Sequence, residues 1–240
     1  MSQHTEQTNP QTILHKKNRT NYELRTTGRA TLQHILALDV SSPATSIAMV
    51  EFSPSGKKIL YHYHELHERY NSSVFFQGLE TAIKQCGLPT RIVVGQGPGS
   101  YNGLRASIAA AQGMATALHV DLIGISSPLA IPGPSTGYWV GGDARGGHYW
   151  LAAIAQNHFL EEPFLLAPSA VAEELATQPN FPFFSSAELP QLSSSQKTII
   201  ATPDAALLAT LGQHAEPSPN IPEPLYLKPP NIGPALTPRP

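Results

Sequence analysis

The sequence predicts an α/β protein, and three stretches carry the prediction. The apolar run Ile92-Val93-Val94 enters a glycine-rich turn, Gly95-Gln96-Gly97-Pro98-Gly99-Ser100-Tyr101-Asn102-Gly103-Leu104-Arg105, and the alanine-rich segment 106–118 leaves it. β-Branched residues, turn formers and helix formers in that order read as strand, turn and helix. Upstream, Ile35-Leu36-Ala37-Leu38-Asp39 and Ser46-Ile47-Ala48-Met49-Val50 flank a short turn. That is a β-hairpin with Asp39 and the hydroxyls of Ser41 and Ser42 at its tip. Downstream, Tyr138-Trp139-Val140 and residues 148–154 read as a second strand pair across the glycine-rich 141–147.

Taken in order, residues 1–33 are polar and lack a hydrophobic period. Lys16, Lys17, Arg19, Arg25 and Arg29 outnumber Glu6 and Glu23 there. The segment reads as a disordered extension; its other readings are a basic RNA-contacting arm, a transit peptide or an over-called start codon. After the hairpin, Gly56 marks a turn and residues 58–65 read as a third antiparallel strand, which puts the Asp39 tip at the end of a central strand. Residues 70–85 read as a helix, with Val74, Gly78, Leu79, Ala82 and Ile83 on one broad face and Gly87-Leu88-Pro89 as the stop. In the alanine-rich helix, Leu104, Ile108, Ala111, Ala115 and Leu118 recur at helical spacing, and so many small residues predict close helix–helix packing. Residues 122–125, 164–166 and 198–201 read as strands, and 171–176 and 205–212 as short helices. From Pro179 the chain is proline-rich, so irregular structure and a frayed end after Leu227 are expected.

Composition narrows the class. A chain of 240 residues buries a real core in one domain or two associated lobes, and a formal net charge of −2 argues against a surface coated for nucleic acid. The single cysteine, Cys86, excludes an internal disulfide and suits a reducing compartment. No apolar run approaches the roughly 20 residues of a spanning helix, and the N-terminus lacks the apolar core of a secretory signal. A cytoplasmic protein without a membrane partner is expected.

Two readings fit the glycine-rich turn. Gly97 and Gly99 allow close backbone approach, and the free N–H groups from Ser100 onward favour an anion. The other reading is a tight strand-to-helix connection with no ligand.

The opening 35–41, the central Gly97-Pro98-Gly99-Ser100-Tyr101-Asn102-Gly103-Leu104-Arg105 and Asp143-Ala144-Arg145 together resemble the TsaB (YeaZ) family of tRNA threonylcarbamoyladenosine biosynthesis. Pro224-Leu225-Tyr226-Leu227-Lys228-Pro229 is similar to that family's closing motif. The resemblance implies an actin-like, ribonuclease-H-like fold of two lobes: an N-terminal lobe at 34–126 and a reduced C-terminal lobe at 127–226, followed by a proline-rich tail at 227–240. It implies a non-catalytic paralogue of TsaD, a scaffold that pairs with TsaD, recruits TsaE through that junction, and works downstream of a TsaC-type enzyme. Contact with tRNA would be indirect, and a homodimer would form in isolation. The implied partner face takes Val74, Gly78 and Leu79 from the first helix, and Ser107, Ala110, Ala111 and Met114 from the second.

The resemblance also implies a ligand site at Asp39, Ser41, Ser42, Gly97, Gly99, Ser100, Asp143 and Arg145. Val40 stands where the family usually has Thr, and Asn102 replaces another Thr. Weak nucleotide binding is therefore left open, and no cofactor is required. TsaD relatives hold a metal with an H-x-x-x-H pair beyond the strand after the Ala-rich helix; here residues 125–131 read Ile-Ser-Ser-Pro-Leu-Ala-Ile, without an imidazole. Neither catalysis nor a metal is expected of this chain alone. Pro128, Pro132 and Pro134 leave no room for a longer helix there. His62 and His64 share one face of a strand, and with His67 they read as a solvated edge rather than a ligand set. Asp143 and Arg145 fit an exposed salt-bridge pair as well as a ligand contact. Cys86 reads as a packed small residue. The alternative function is a stand-alone actin-fold small-molecule kinase or hydrolase, and a third reading is a homodimer with an unrelated interaction role.

Overall fold

The computed structural model describes residues 32–67, 72–189, 197–217 and 220–228. The expectations for 1–31, for the first residues of the helix at 70–85 and for most of the tail at 227–240 lie outside them.

The first half forms β1 (Gln33–Asp39), β2 (Ala44–Ser53), β3 (Gly56–Leu66), α1 (Ser72–Cys86), β4 (Arg91–Gly95), α2 (Tyr101–Leu118) and β5 (Asp121–Ile125). The second forms β6 (Tyr138–Asp143), β7 (Tyr149–Ala155), β8 (His158–Leu166), α3 (Val171–Ala176), β9 (Phe183–Ser185), β10 (Thr198–Ile200) and α4 (Ala205–Gly212). The first sheet runs β3-β2-β1-β4-β5, antiparallel on the hairpin side and parallel across β1, β4 and β5. The second runs β8-β7-β6-β9-β10 with the same alternation of directions. Each sheet is thus a meander of three strands extended by two parallel ones. The helices that accompany the second are shorter: six residues in α3 against fifteen in α1.

The continuous apolar runs in β1, β2 and β4 follow from a first sheet covered on both faces. Leu36, Leu38, Ile47, Met49, Ile92 and Val94 point to Phe75 and Leu79 of α1 and to Leu104, Ile108 and Ala111 of α2. Ile35, Ala37, Ala48, Val50 and Val93 point the other way, to Ala205, Leu208 and Ala209 of α4. Helix α4 therefore covers the first sheet, although its sequence position falls within the segment expected to build the C-terminal lobe. The small residues Ala111 and Ala115 are fully turned into this core, which lets α2 lie close on the sheet.

Two expectations in the second half are corrected. Phe183–Ser185 is an interior strand where irregular chain was expected; Pro182 sits just outside it and offers only its carbonyl, to Trp139 N–H at 2.9 Å. The strand expected at 164–166 begins earlier, at His158, because the turn at Gln156 and Asn157 adopts positive φ and returns the chain immediately onto β7. The prolines after β5 act as expected: Ser127–Ala130 is a single 3₁₀ turn.

Candidate functional site

The hairpin tip, the glycine-rich turn and the 3₁₀ turn meet at one point below the end of β1. Asp39 is 1% exposed there. Its Oδ1 accepts from Ser41 N–H at 2.9 Å and from Ser41 Oγ–H at 2.7 Å. Oδ2 faces the Ser127 hydroxyl, off the alignment of a full hydrogen bond. Burial raises the Asp39 carboxyl above its usual range; hydrogen bonding from Ser127 and Ser41 and the charge of His64 oppose that only in part.

The glycine-rich turn closes onto this tip through its backbone. Ser100 N–H donates to Ser41 O at 2.7 Å, and a Cβ on Gly99 would collide with the same carbonyl. A Cβ on Gly103 would collide with Val40 O, and one on Gly95 with Asp39 Oδ2. Ser100 is the N-cap of α2, its hydroxyl accepting from Gly103 N–H at 3.3 Å. Ser42 Oγ accepts from Ala44 N–H at 3.1 Å and shapes the hairpin turn. Gly97, at φ +87°, is held on both sides: its N–H donates to Ser127 Oγ at 2.9 Å, and its carbonyl accepts from Ser127 N–H at 3.0 Å and Ser126 Oγ–H at 3.1 Å. The two serines thus brace the turn. Tyr138 ties their 3₁₀ turn to β6 through Pro128 O and Ile131 O, both at 3.3 Å, and burial pushes its hydroxyl up to about 12.

An actin-like fold implies nucleotide phosphate and a cation at this junction. The cation side of such a site is closed, because Asp39 has no open face and the Ser41 hydroxyl donates to its carboxylate. On the phosphate side the Ser100 N–H is taken by Ser41 O, while the Ser42 and Ser100 hydroxyls accept from Ala44 N–H and Gly103 N–H and keep their own O–H to donate.

Among the described residues, Asp143 and Arg145 share no hydrogen bond or ion pair with this cluster and bond instead to each other and to the closing segment. Asp143 Oδ1 accepts from Arg145 N–H at 2.6 Å, which makes a turn at the end of β6 with Arg145 at φ +58°. Arg145 O accepts from Lys228 Nζ at 2.8 Å. Of the residues expected on a partner face, Gly78, Leu79, Ser107 and Ala111 are buried in the chain's own core, whereas Val74, Ala110 and Met114 are half-buried; Phe76 on α1 is exposed. Cys86 is half-buried, and burial pushes its thiol up, in keeping with a packing role.

Sequence reasoning missed two features. The stretch at 222–226, read only as irregular chain, is held as a strap; the frayed end expected after Leu227 lies almost wholly outside the described residues. Gln96 Nε2 donates to Glu223 O at 2.8 Å, Leu225 N–H to Gln96 O at 2.7 Å, and Gln112 Nε2 to Pro222 O at 2.9 Å. Tyr226 stacks on Tyr101 at 5.3 Å, over which Arg105 lies at 5.2 Å. Tyr226→Ala is expected to loosen this strap, speeding proteolytic cleavage at 220–228 while lowering the melting temperature by only about 1–3 °C. The second feature is on β3. His62 and His64 are not merely a solvated edge: Asp204 converges on them, with His62 Nε2 at 3.3 Å from Asp204 Oδ1. His67 is not part of that group.

Two sheets of one strand order, each a meander continued by parallel strands, with helices on both faces of the first, place the chain in the actin-like, ribonuclease-H-like class. Residues 54–131, from the β2–β3 turn through α1 and α2 to the 3₁₀ turn, match the family model described as TsaD, tRNA N6-adenosine threonylcarbamoyltransferase. Over most of its length the chain has the fold of YeaZ. A Pseudomonas aeruginosa protein with similarity to peptidase YeaZ superposes with a TM-score of 0.64, at 18% identity, over 82% of this chain and 100% of that one. YeaZ from Pseudomonas aeruginosa gives 0.61 at 18% identity, over 75% and 91%. Uncharacterized proteins of Mycobacterium bovis and Mycobacterium tuberculosis are 30% identical over 112 residues, 45% of this chain and 53% of each relative. The chain thus spans about half the length of the curated relatives it matches. Among the described residues, no helix is long and apolar enough to cross a membrane.

Proposed function

We propose that this chain is a TsaB-type, non-catalytic cytoplasmic subunit that pairs with a TsaD-type transferase for threonylcarbamoyl transfer to the adenosine next to the anticodon of tRNA. One observation carries the reading: the segment matching the TsaD family model ends in Ser126-Ser127-Pro128-Leu129-Ala130-Ile131, which braces a closed turn and offers no metal-binding imidazole. The lobe is kept and the chemistry of its catalytic relative is not. The outward side of α1 and α2, with Val74, Phe76, Ala110 and Met114, is the surface left for pairing. TsaE joins through the resulting pair, a TsaC-type enzyme supplies the activated threonylcarbamoyl group, and tRNA is engaged through the partners. In isolation the same surface pairs two copies of this chain, and no nucleotide is needed by this subunit.

Co-elution with the TsaD of its own organism in gel filtration with light scattering is the expected result, and independent migration of the two would overturn the reading. Ala110→Arg is expected to abolish pairing while leaving the far-UV spectrum unchanged. A folded Ala110→Arg variant that still pairs would move the interface off this face. Turnover of Mg-ATP by the isolated chain would make it a stand-alone kinase or hydrolase instead.

A further inference from the structure

We propose that His62, His64 and Asp204 form a binding site for a divalent transition-metal cation of the Zn²⁺ type, at the seam between strand β3 and the entry to α4. The two histidines are alternate residues of one strand and project to the same side. The register puts His64 opposite Ser46 and His62 opposite Ala48. Asp204 arrives from far along the chain because α4 packs on the first sheet and Asp204 is its N-cap, Oδ1 accepting from Ala206 N–H at 2.7 Å. One donor atom from each of the three side chains lies within 4.8 Å of the others. Tetrahedral coordination at zinc–ligand distances of about 2.0–2.1 Å places donor atoms about 3.4 Å apart, so side-chain rotation suffices to close the set.

The surroundings favour a cation over a simple ion pair. His64 Nδ1 is 3.0 Å from Ser46 Oγ, which also accepts from Ala205 N–H at 2.8 Å, so the ring is oriented from behind as metal-ligating imidazoles are. Its Nε2 points the other way and meets Thr202 Oγ1 at 2.9 Å, the contact that a metal bound at Nε2 would replace. The same side opens on a cavity of about 280 Å³ lined by His64, Leu66, Pro132, Thr202 and Asp204 among others, which leaves room for a water or small anion as further ligand. With side-chain exposures of 34% for His62 and 26% for Asp204, the donors are reachable from solvent. Two imidazoles and one carboxylate suit Zn²⁺, Co²⁺ or Ni²⁺ rather than Mg²⁺ or Ca²⁺, which prefer all-oxygen shells. A bound cation would pin the edge strand to α4. The site lies on β3 and before α4, not beyond β5, and it stands whether or not the chain pairs with a TsaD-type partner.

The test uses the full chain after EDTA treatment, titrated with Zn²⁺ by calorimetry and with Co²⁺ by visible absorption. A saturable single site is expected, with Co²⁺ bands of a low-symmetry, four-coordinate centre and a melting temperature raised by Zn²⁺. Outer-shell partners alone are worth about 10–100-fold in metal affinity, so His62→Gln and Asp204→Asn should each weaken binding at least that much. Asparagine keeps the helix cap, so Asp204→Asn tests the ligand without removing the N-cap. Wild type and both variants binding Co²⁺ alike, or no saturable binding by wild type, would overturn the proposal.

Discussion

Replacing Gly99 by alanine is expected to lower stability by about 2–3 kcal/mol and the melting temperature by roughly 5–10 °C in thermal denaturation. The added Cβ would enter the Ser41 peptide, and neither side can retreat cheaply. Ser41 is fixed by two hydrogen bonds to Asp39 and by the Ser100 N–H on its carbonyl. The turn is fixed by the grip of Ser126 and Ser127 on Gly97. The strain therefore falls on backbone rather than on a flexible side-chain end. Gly113, within α2, supplies the control: a Cβ there meets nothing within 4 Å. Gly113→Ala should stabilise by up to about 1 kcal/mol through helix propensity. Equal destabilisation by both substitutions would show that the loop contact does not decide the effect.

The first sheet was legible in the sequence because its signals are local. Short apolar runs at 35–39, 46–50 and 92–94, bounded by turn formers, read as strands, and the spacing of Leu104, Ile108 and Ala111 fixed the inward side of α2. The Asp39 tip at the end of a central strand followed from the same reading. What stayed hidden depends on contacts between distant residues. Ser127 carries no sequence signal for bracing Gly97, since a serine before a proline reads only as a turn. The strap at 222–226 has no periodicity, and its order comes from Gln96, Gln112 and Tyr101 rather than from itself. Strand β9 is three residues long and borrows its register from β6, so proline content outweighed it.

The candidate sites divide in the same way. That Ser41, Ser42 and Ser100 sit near Asp39 was readable; that their hydroxyls would serve the chain's own backbone and carboxylate was not, because a cradle and a closed turn share the same residues. Likewise, the small residues of α1 and α2 announced close packing, but could not say whether their own sheet or another chain would receive them. Gly78 and Ala111 face the sheet. The convergence of His62 and His64 was visible as strand parity, whereas Asp204 required the knowledge that α4 returns to the first sheet.

Asp39→Asn is expected to raise stability at pH 7 by about 1–3 kcal/mol, a gain of several degrees in melting temperature. A carboxylate with one oxygen lacking a well-aligned donor and no cationic side chain bonded to it is penalised by desolvation, which is the largest influence on this group. Asparagine keeps the acceptor toward Ser41, and its Nδ2 faces Ser127 Oγ, a hydroxyl able to accept. The pH dependence has a definite sign. Because the folded carboxyl titrates above its unfolded value near 3.8, the folded chain holds the proton more tightly. The stabilising contribution of the protonated acid is complete below 3.8 and is lost as pH rises through the raised folded value. The variant's advantage should therefore be greatest at neutral pH and shrink as the medium is acidified toward 3.8. An Asp39→Asn protein less stable than wild type at pH 7 would mean that the carboxylate is held as a satisfied anion. The expected gain would instead mark Asp39 as a group retained at a cost in stability, with the closed turn of Gly97–Gly103 setting that cost by excluding water from it.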